Sequence, residues 1–123
     1  VKVKTSELSG KALDWAVGMA IGNNQFINPF NEFMRRQPDP IGCYRYNPSS
    51  DWSDCGPLID GYSPVITICR GMVRTEIATL ENDVSATGIG IGITYTISFC
   101  RALVSLKLGD EVDIPDELME VGE

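Results

Sequence analysis

The sequence predicts an α+β domain in which an antiparallel β-meander carries two main helices packed on one face. Three observations predict it. Residues 62–91 divide into the strand-like runs Tyr62–Cys69, Met72–Leu80 and Val84–Ile91, joined by Arg70-Gly71 and Glu81-Asn82-Asp83. Connections that short require antiparallel neighbours. Two further segments, about 10–21 and 95–108, carry apolar residues at helical spacing. The length, 123 residues, suits a single core, and no internal repeat or long linker divides residues 1–123.

Each element has its own signal. Val1 to Lys4 alternates apolar and charged residues, as an edge strand does, and its lysines discourage pairing with another molecule. In the first helix Ser9 is the N-cap, Leu8 and Leu13 form a hydrophobic staple, and Gly22 follows the end. Lys11, Asp14 and Gly18 make a narrow polar stripe, leaving an apolar arc wider than one packed face requires. Asn28-Pro29 opens a short helix with Phe30, Phe33 and Met34 inward, and Pro38-Asp39-Pro40 ends it. Ile41–Tyr46 reads as a strand, Asn47 to Ser50 as a turn, and Ser50 to Pro57 as a compact turn or one helical coil. On the middle strand of the meander Val73, Thr75, Ile77 and Thr79 share one face. Arg74 and Glu76 occupy the other, predicted to be wetter. The last helix starts at Thr94 and stops at Gly109, with Thr94, Ser98, Arg101 and Ser105 as its polar stripe. Val112 and Ile114 dock as an extended segment, and 116–123 forms a frayed acidic tail.

Composition narrows the function. Seventeen acidic against ten basic residues give a net charge of −7, which disfavours nucleic acid and anionic membranes. A local basic patch at Arg35-Arg36 and Arg45 is the exception to weigh, and the acidic tail could imitate the charge of DNA. No apolar run spans a bilayer, and Val1–Lys4 followed by Thr5-Ser6-Glu7 does not read as a signal peptide, so a cytoplasmic protein is expected. Cys43, Cys55, Cys69 and Cys100 fit no metal-ligand spacing and histidine is absent, so no metal, cofactor or disulfide is expected.

Three stretches carry a resemblance. They are Lys4 to Val17, with Leu13-Asp14-Trp15-Ala16; Tyr46 to Ile59, with Ser50-Asp51-Trp52-Ser53; and Arg101 with Leu106 to Pro115. In order and spacing they are similar to the NinX family of temperate, lambda-like bacteriophages. The chain departs from that pattern at Asp54-Cys55, where the family has Gln-Gly, and at Gly92 to Ile97, where the family's prolines are missing. The resemblance implies a phage or prophage accessory protein in the host cytoplasm and supplies no mechanism.

No catalytic constellation emerges from the residues. Gly88-Ile89-Gly90-Ile91-Gly92 could present N–H groups to a phosphate, but the spacing is not G-x-G-x-x-G and no strand follows the helix. The alternative reading is a strand that a helix approaches closely. Asp51 and Asp54 flank Trp52 with Asp60 nearby; paired carboxylates serve as acid and base, whereas Asp51 as a turn cap and Trp52 as a core residue is the structural reading. The candidate interaction residues are therefore Trp15, Asp51, Trp52 and Arg101: two aromatics suited to hot spots, a carboxylate, and an arginine on an otherwise apolar helix that either grips an acidic partner or pairs internally with Asp51 or Asp110. The residues favour a non-enzymatic module that binds a host or phage protein and self-associates as a homodimer through apolar helix surface the sheet leaves uncovered. The competing reading is a small-molecule or nucleotide-binding enzyme with Gly88–Gly92 and the aspartates near Trp52 in one pocket.

Overall fold

A computed structural model describes residues 2–21, 25–27, 33–36, 43–45, 48–81 and 84–118. The fold is α+β. Its centre is the meander β5 (Val65–Cys69), β6 (Met72–Glu81) and β7 (Val84–Gly92), antiparallel in the order β5-β6-β7. Arg70 and Gly71 make the first hairpin, with φ of 53° and 78°. Positive φ at both central residues is the hallmark of the two-residue turn whose twist matches paired strands.

Helix α3 (Tyr95–Leu108) lies across β6 and β7. The Thr94 hydroxyl caps it by accepting from the Ile97 N–H at 3.2 Å, and the Gly109 N–H closes it on the Ser105 carbonyl. The glycines of β7 fix how close it comes. A Cβ at Gly88 would overlap the Ala102 carbonyl, and one at Gly90 would overlap the Ser98 carbonyl and the Ala102 nitrogen. The strand-against-helix reading of Gly88–Gly92 is the correct one, and the glycines are there because backbone meets backbone. The contact is also polar. Ser98, the buried end of the expected polar stripe, donates to the Gly90 carbonyl at 2.9 Å, and its oxygen accepts from the Thr75 hydroxyl at 2.7 Å. Val73, Thr75 and Ile77 are buried on this inner face of the sheet.

Helix α1 (Gly10–Ile21) packs on α3, so Leu13, Ala16 and Val17 meet Phe99, Leu103 and Val104 in one core. Each of these larger side chains contributes about 1.5–3 kcal/mol on burial. Helix α2 (Trp52–Tyr62) is a full helix rather than the expected compact turn. It runs through Pro57 because Asp51 caps its start, accepting from the Ser53 N–H at 2.8 Å, and because Cys55 is locked in the core. Strand β1 (Lys2–Lys4) pairs with β8 (Glu111–Asp113) in a separate two-stranded sheet, which docks Val112 and Ile114 as expected.

The middle of the chain departs from expectation. Rather than a helix carrying Phe33 and Met34, the backbone forms a second small meander of β2 (Gln25–Ile27), β3 (Phe33–Arg36) and β4 (Cys43–Arg45). Register pairing on both sides of β3 overrode a helical spacing only a few residues long. The helix opening at Asn28-Pro29, the stop at Pro38–Pro40 and the tail beyond 118 lie outside the described residues. The start of the tail is not frayed: Asp116–Leu118 forms a turn of 3-10 helix with Leu118 buried.

Candidate functional site

The four residues the sequence singles out lie in different surroundings. Trp15 is half-buried against the α1–α3 core. Asp51 is the N-cap of α2. Trp52, expected inside, is 57% exposed. It occupies the first position of α2, where the capped end of the helix projects from the core, and its ring sits 6.4 Å from that of Tyr95 at the start of α3. The pair lies at the surface, outside the core. Arg101 does not pair with Asp51 or Asp110. Its Nε donates to the Leu8 carbonyl at 2.9 Å and its Nη1 to the Ile91 carbonyl at 2.6 Å. Burial alone lowers its pKa from the usual guanidinium value. Arg101 therefore ties the free edge of β7 to the segment entering α1.

Beside Arg101 lies a concavity of about 860 Å³. Met72, Ile89, Gly90 and Ile91 come from the sheet, Lys4, Thr5 and Ser6 from the N-terminal segment, Asp110 and Glu111 from the approach to β8, and Arg101 and Ser105 from α3. Asp51, Asp54 and Asp60 do not line it. The glycines of β7 face α3, and the strand is paired along its length with β6. Among the described residues no group of three or more Cys, Asp or Glu side chains is placed to hold a metal ion.

The sheet's second face, expected to be wet, is apolar. Ile89 and Ile91 alternate with the buried glycines and are 44% and 51% exposed. Met72, Leu80 and Val65 share their face by register and are also exposed. Arg74 and Glu76 pair there at 3.2 Å, both half-exposed, so their charges largely answer each other. Helices α1 and α3, by contrast, hide most of their wide apolar arcs in each other; among their described residues Met19, Tyr95 and Leu108 are the large apolar side chains left exposed. The uncovered aliphatic area thus belongs mainly to the sheet. It was missed because Arg74 and Glu76 were read as marks of a wet face, although they are two charges among several aliphatic side chains.

A second constellation escaped the sequence. Asp14, read as part of the polar stripe of α1, is buried, and its Oδ1 accepts from the Ser49 N–H at 2.8 Å. The Ser49 carbonyl in turn accepts from the Thr96 hydroxyl at 2.6 Å. This chain ties α1, the turn at 48–50 and α3 together. Burial raises the Asp14 pKa to about 6, against the lowering effect of the Ser49 hydrogen bonds and with a smaller push from Asp54. The buried thiols of Cys55 and Cys100 sit next to this chain, hydrogen-bonded to one another; that bond and burial push Cys100 well above the ordinary thiol value. Thr96, Cys100 and Asp14 are buried, so the cluster reads as a structural junction.

The bacteriophage P22 NinX family model matches residues 4–88, from the end of β1 to the middle of β7. No curated protein matches the chain. The match includes the Leu13-Asp14-Trp15-Ala16 and Ser50-Asp51-Trp52-Ser53 stretches, so it takes in both partners of the Asp14–Ser49 hydrogen bond and the cap of α2. The third stretch, from Arg101 to Pro115, lies beyond it. With well over half of its residues covered in this way, the chain belongs to the bacteriophage P22 NinX family.

Proposed function

We propose that this phage protein is an accessory factor of the host cytoplasm that works by binding another protein, host or phage, without catalysing a reaction. The observation that carries the reading is the apolar, concave outer face at β7, where Met72, Ile89 and Ile91 form a floor beside Lys4, Arg101, Asp110 and Glu111. A greasy floor with a rim of both charge signs suits the anatomy of a protein interface. It does not suit an anionic nucleic acid, because the rim's charges balance. Trp52 with Tyr95 supplies a second exposed contact on another part of the surface.

The test is affinity capture from phage-infected lysate with two baits, the native chain and an Ile89→Lys/Ile91→Lys variant, quantified by mass spectrometry. Both substituted side chains are exposed, so the variant keeps its core. Proteins enriched by the native bait and lost from the variant support the reading. Identical recoveries from the two baits, or none from either, overturn it.

A further inference from the structure

We propose that β5 is a homodimerisation edge, along which two copies pair antiparallel about Thr67 and join their meanders into one continuous sheet. This deepens the protein-binding reading and rests on it for its purpose, but it uses a different edge of the sheet.

The backbone shows which groups are free. In a two-residue hairpin the pair flanking the turn exchanges hydrogen bonds, and bonded and non-bonded pairs then alternate along the ladder. Here the flanking pair is Cys69 with Met72, so Cys69, Thr67 and Val65 bond to β6, while the N–H and C=O groups of Ile66 and Ile68 point away from it. The same alternation carried across β6 turns the Ile91 carbonyl outward on β7, where Arg101 bonds it. The edge of β7 therefore has Arg101 across it, whereas among the described residues β5 has a strand neighbour on one side only, and every residue from Val65 to Cys69 is exposed.

The side chains do not protect this edge either. Natural edge strands are blunted by charge, proline, a bulge or a covering element. Val65-Ile66-Thr67-Ile68-Cys69 contains no charge or proline and pairs with β6 without a bulge. Val65 is 65% and Ile68 60% exposed. A net charge of −7 makes two copies repel, yet no acid occurs between Asp60 and Glu76, and the hairpin beside the strand carries Arg70. Encounter along β5 thus meets little repulsion from the strand itself.

The strand is complementary to itself. A two-fold axis through Thr67 places Ile66 opposite Ile68 of the second copy, in the positions whose backbone groups are free, so each such pair exchanges its hydrogen bonds. Val65 then falls opposite Cys69 of the second copy in a non-hydrogen-bonded pair, the closer of the two spacings. Ile66 and Ile68 lie on the α3 side of the sheet but beyond the reach of α3, which covers β6 and β7. The second copy's isoleucines fill that overhang, which the isologous geometry of a two-fold dimer permits.

The register makes the proposal testable. Val65→Cys in the full chain, with Cys69 retained, is oxidised mildly and run on a non-reducing gel, and the native chain is measured by sedimentation equilibrium. The expected result is a concentration-dependent dimer of the native chain and a covalent dimer of the variant, lost when Cys69→Ser is added. Ile68→Lys should shift the native dimer at least tenfold toward monomer with an unchanged circular-dichroism spectrum. A native chain that stays monomeric at high micromolar concentration overturns the proposal. A dimer insensitive to Ile68→Lys does the same. The partner-binding reading is tested apart from this: Ile89→Lys/Ile91→Lys should leave the dimer intact, and Ile68→Lys should leave partner capture intact.

Discussion

Replacing Asp14 by asparagine isolates the cost of a carboxylate held in the core. Asp14 is 4% exposed, and burial raises its pKa from 3.8 to about 6. A folded-state value above the unfolded one means the fold prefers the neutral acid. Its contribution is most favourable below pH 3.8, diminishes as pH rises from there to 6, and stays at its least favourable above 6. At 1.36 kcal/mol per pH unit the full difference is about 3 kcal/mol, and between pH 4 and pH 7 it is ~2 kcal/mol. Asp14→Asn removes the titration while leaving an amide oxygen for the Ser49 N–H. The amide NH2 must find its own partner, so the offset between the two proteins at one pH is less informative than its change with pH. Urea unfolding of both proteins from pH 4 to pH 8 measures that change. The variant should gain ~2 kcal/mol relative to the native chain between pH 4 and pH 7, most of it between pH 4 and 6. Parallel stability curves over that interval would refute the argument, because they would mean that the carboxylate is as well solvated folded as unfolded.

Two other perturbations follow from the packing. Gly90→Ala places a methyl group between the Ser98 carbonyl and the Ala102 nitrogen, neither of which can give without moving α3; the loss should reach about 3 kcal/mol, the upper range for overpacking, and calorimetry should show a fall of roughly 10 °C in Tm. Arg101→Met removes the bonds to Leu8 and Ile91 but keeps the aliphatic stem; since water can reach the Ile91 carbonyl, about 1 kcal/mol is expected, read by urea unfolding, with Arg101→Lys recovering part of it.

The fold was legible wherever a local signal marked both ends of an element. Ser9 with Gly22 bounded α1, Thr94 with Gly109 bounded α3, and Arg70-Gly71 fixed the register of the first hairpin. The length of α2 was not legible, because Gly56-Pro57 reads as a stop, and it is the Asp51 cap with the core packing of Cys55, Leu58, Ile59 and Tyr62 that carries the helix past it. Asp14 was misplaced for a similar reason. Its neighbours on α1 are apolar nearly all round, so no face was predictably wet, and the group that meets it comes from Ser49, 35 residues away. The concavity was invisible because it draws residues from Lys4, Ile89, Arg101 and Glu111, which only the tertiary fold brings together. The partners of Arg101 are backbone carbonyls, which no side-chain pattern can disclose.

The alternation along β7 explains why stability and binding can be separated in this protein. Gly88, Gly90 and Gly92 face α3, and the intervening Ile89 and Ile91 face outward. Because strand side chains alternate strictly, one short segment sets the closest helix contact on one face and an apolar ridge on the other. Enlarging the glycines must move α3 and lower stability, whereas changing the isoleucines touches no core neighbour. Folding therefore gives no reason for aliphatic side chains at 89 and 91, since threonine or lysine would pair across the strand as well and keep the surface wet. Beta-branched residues do favour strands, but that preference is worth at most about 1 kcal/mol and threonine shares it. What threonine lacks is the larger area that aliphatic side chains can bury against a partner, and that difference is the ground for proposing the outer face of β7 as the contact surface.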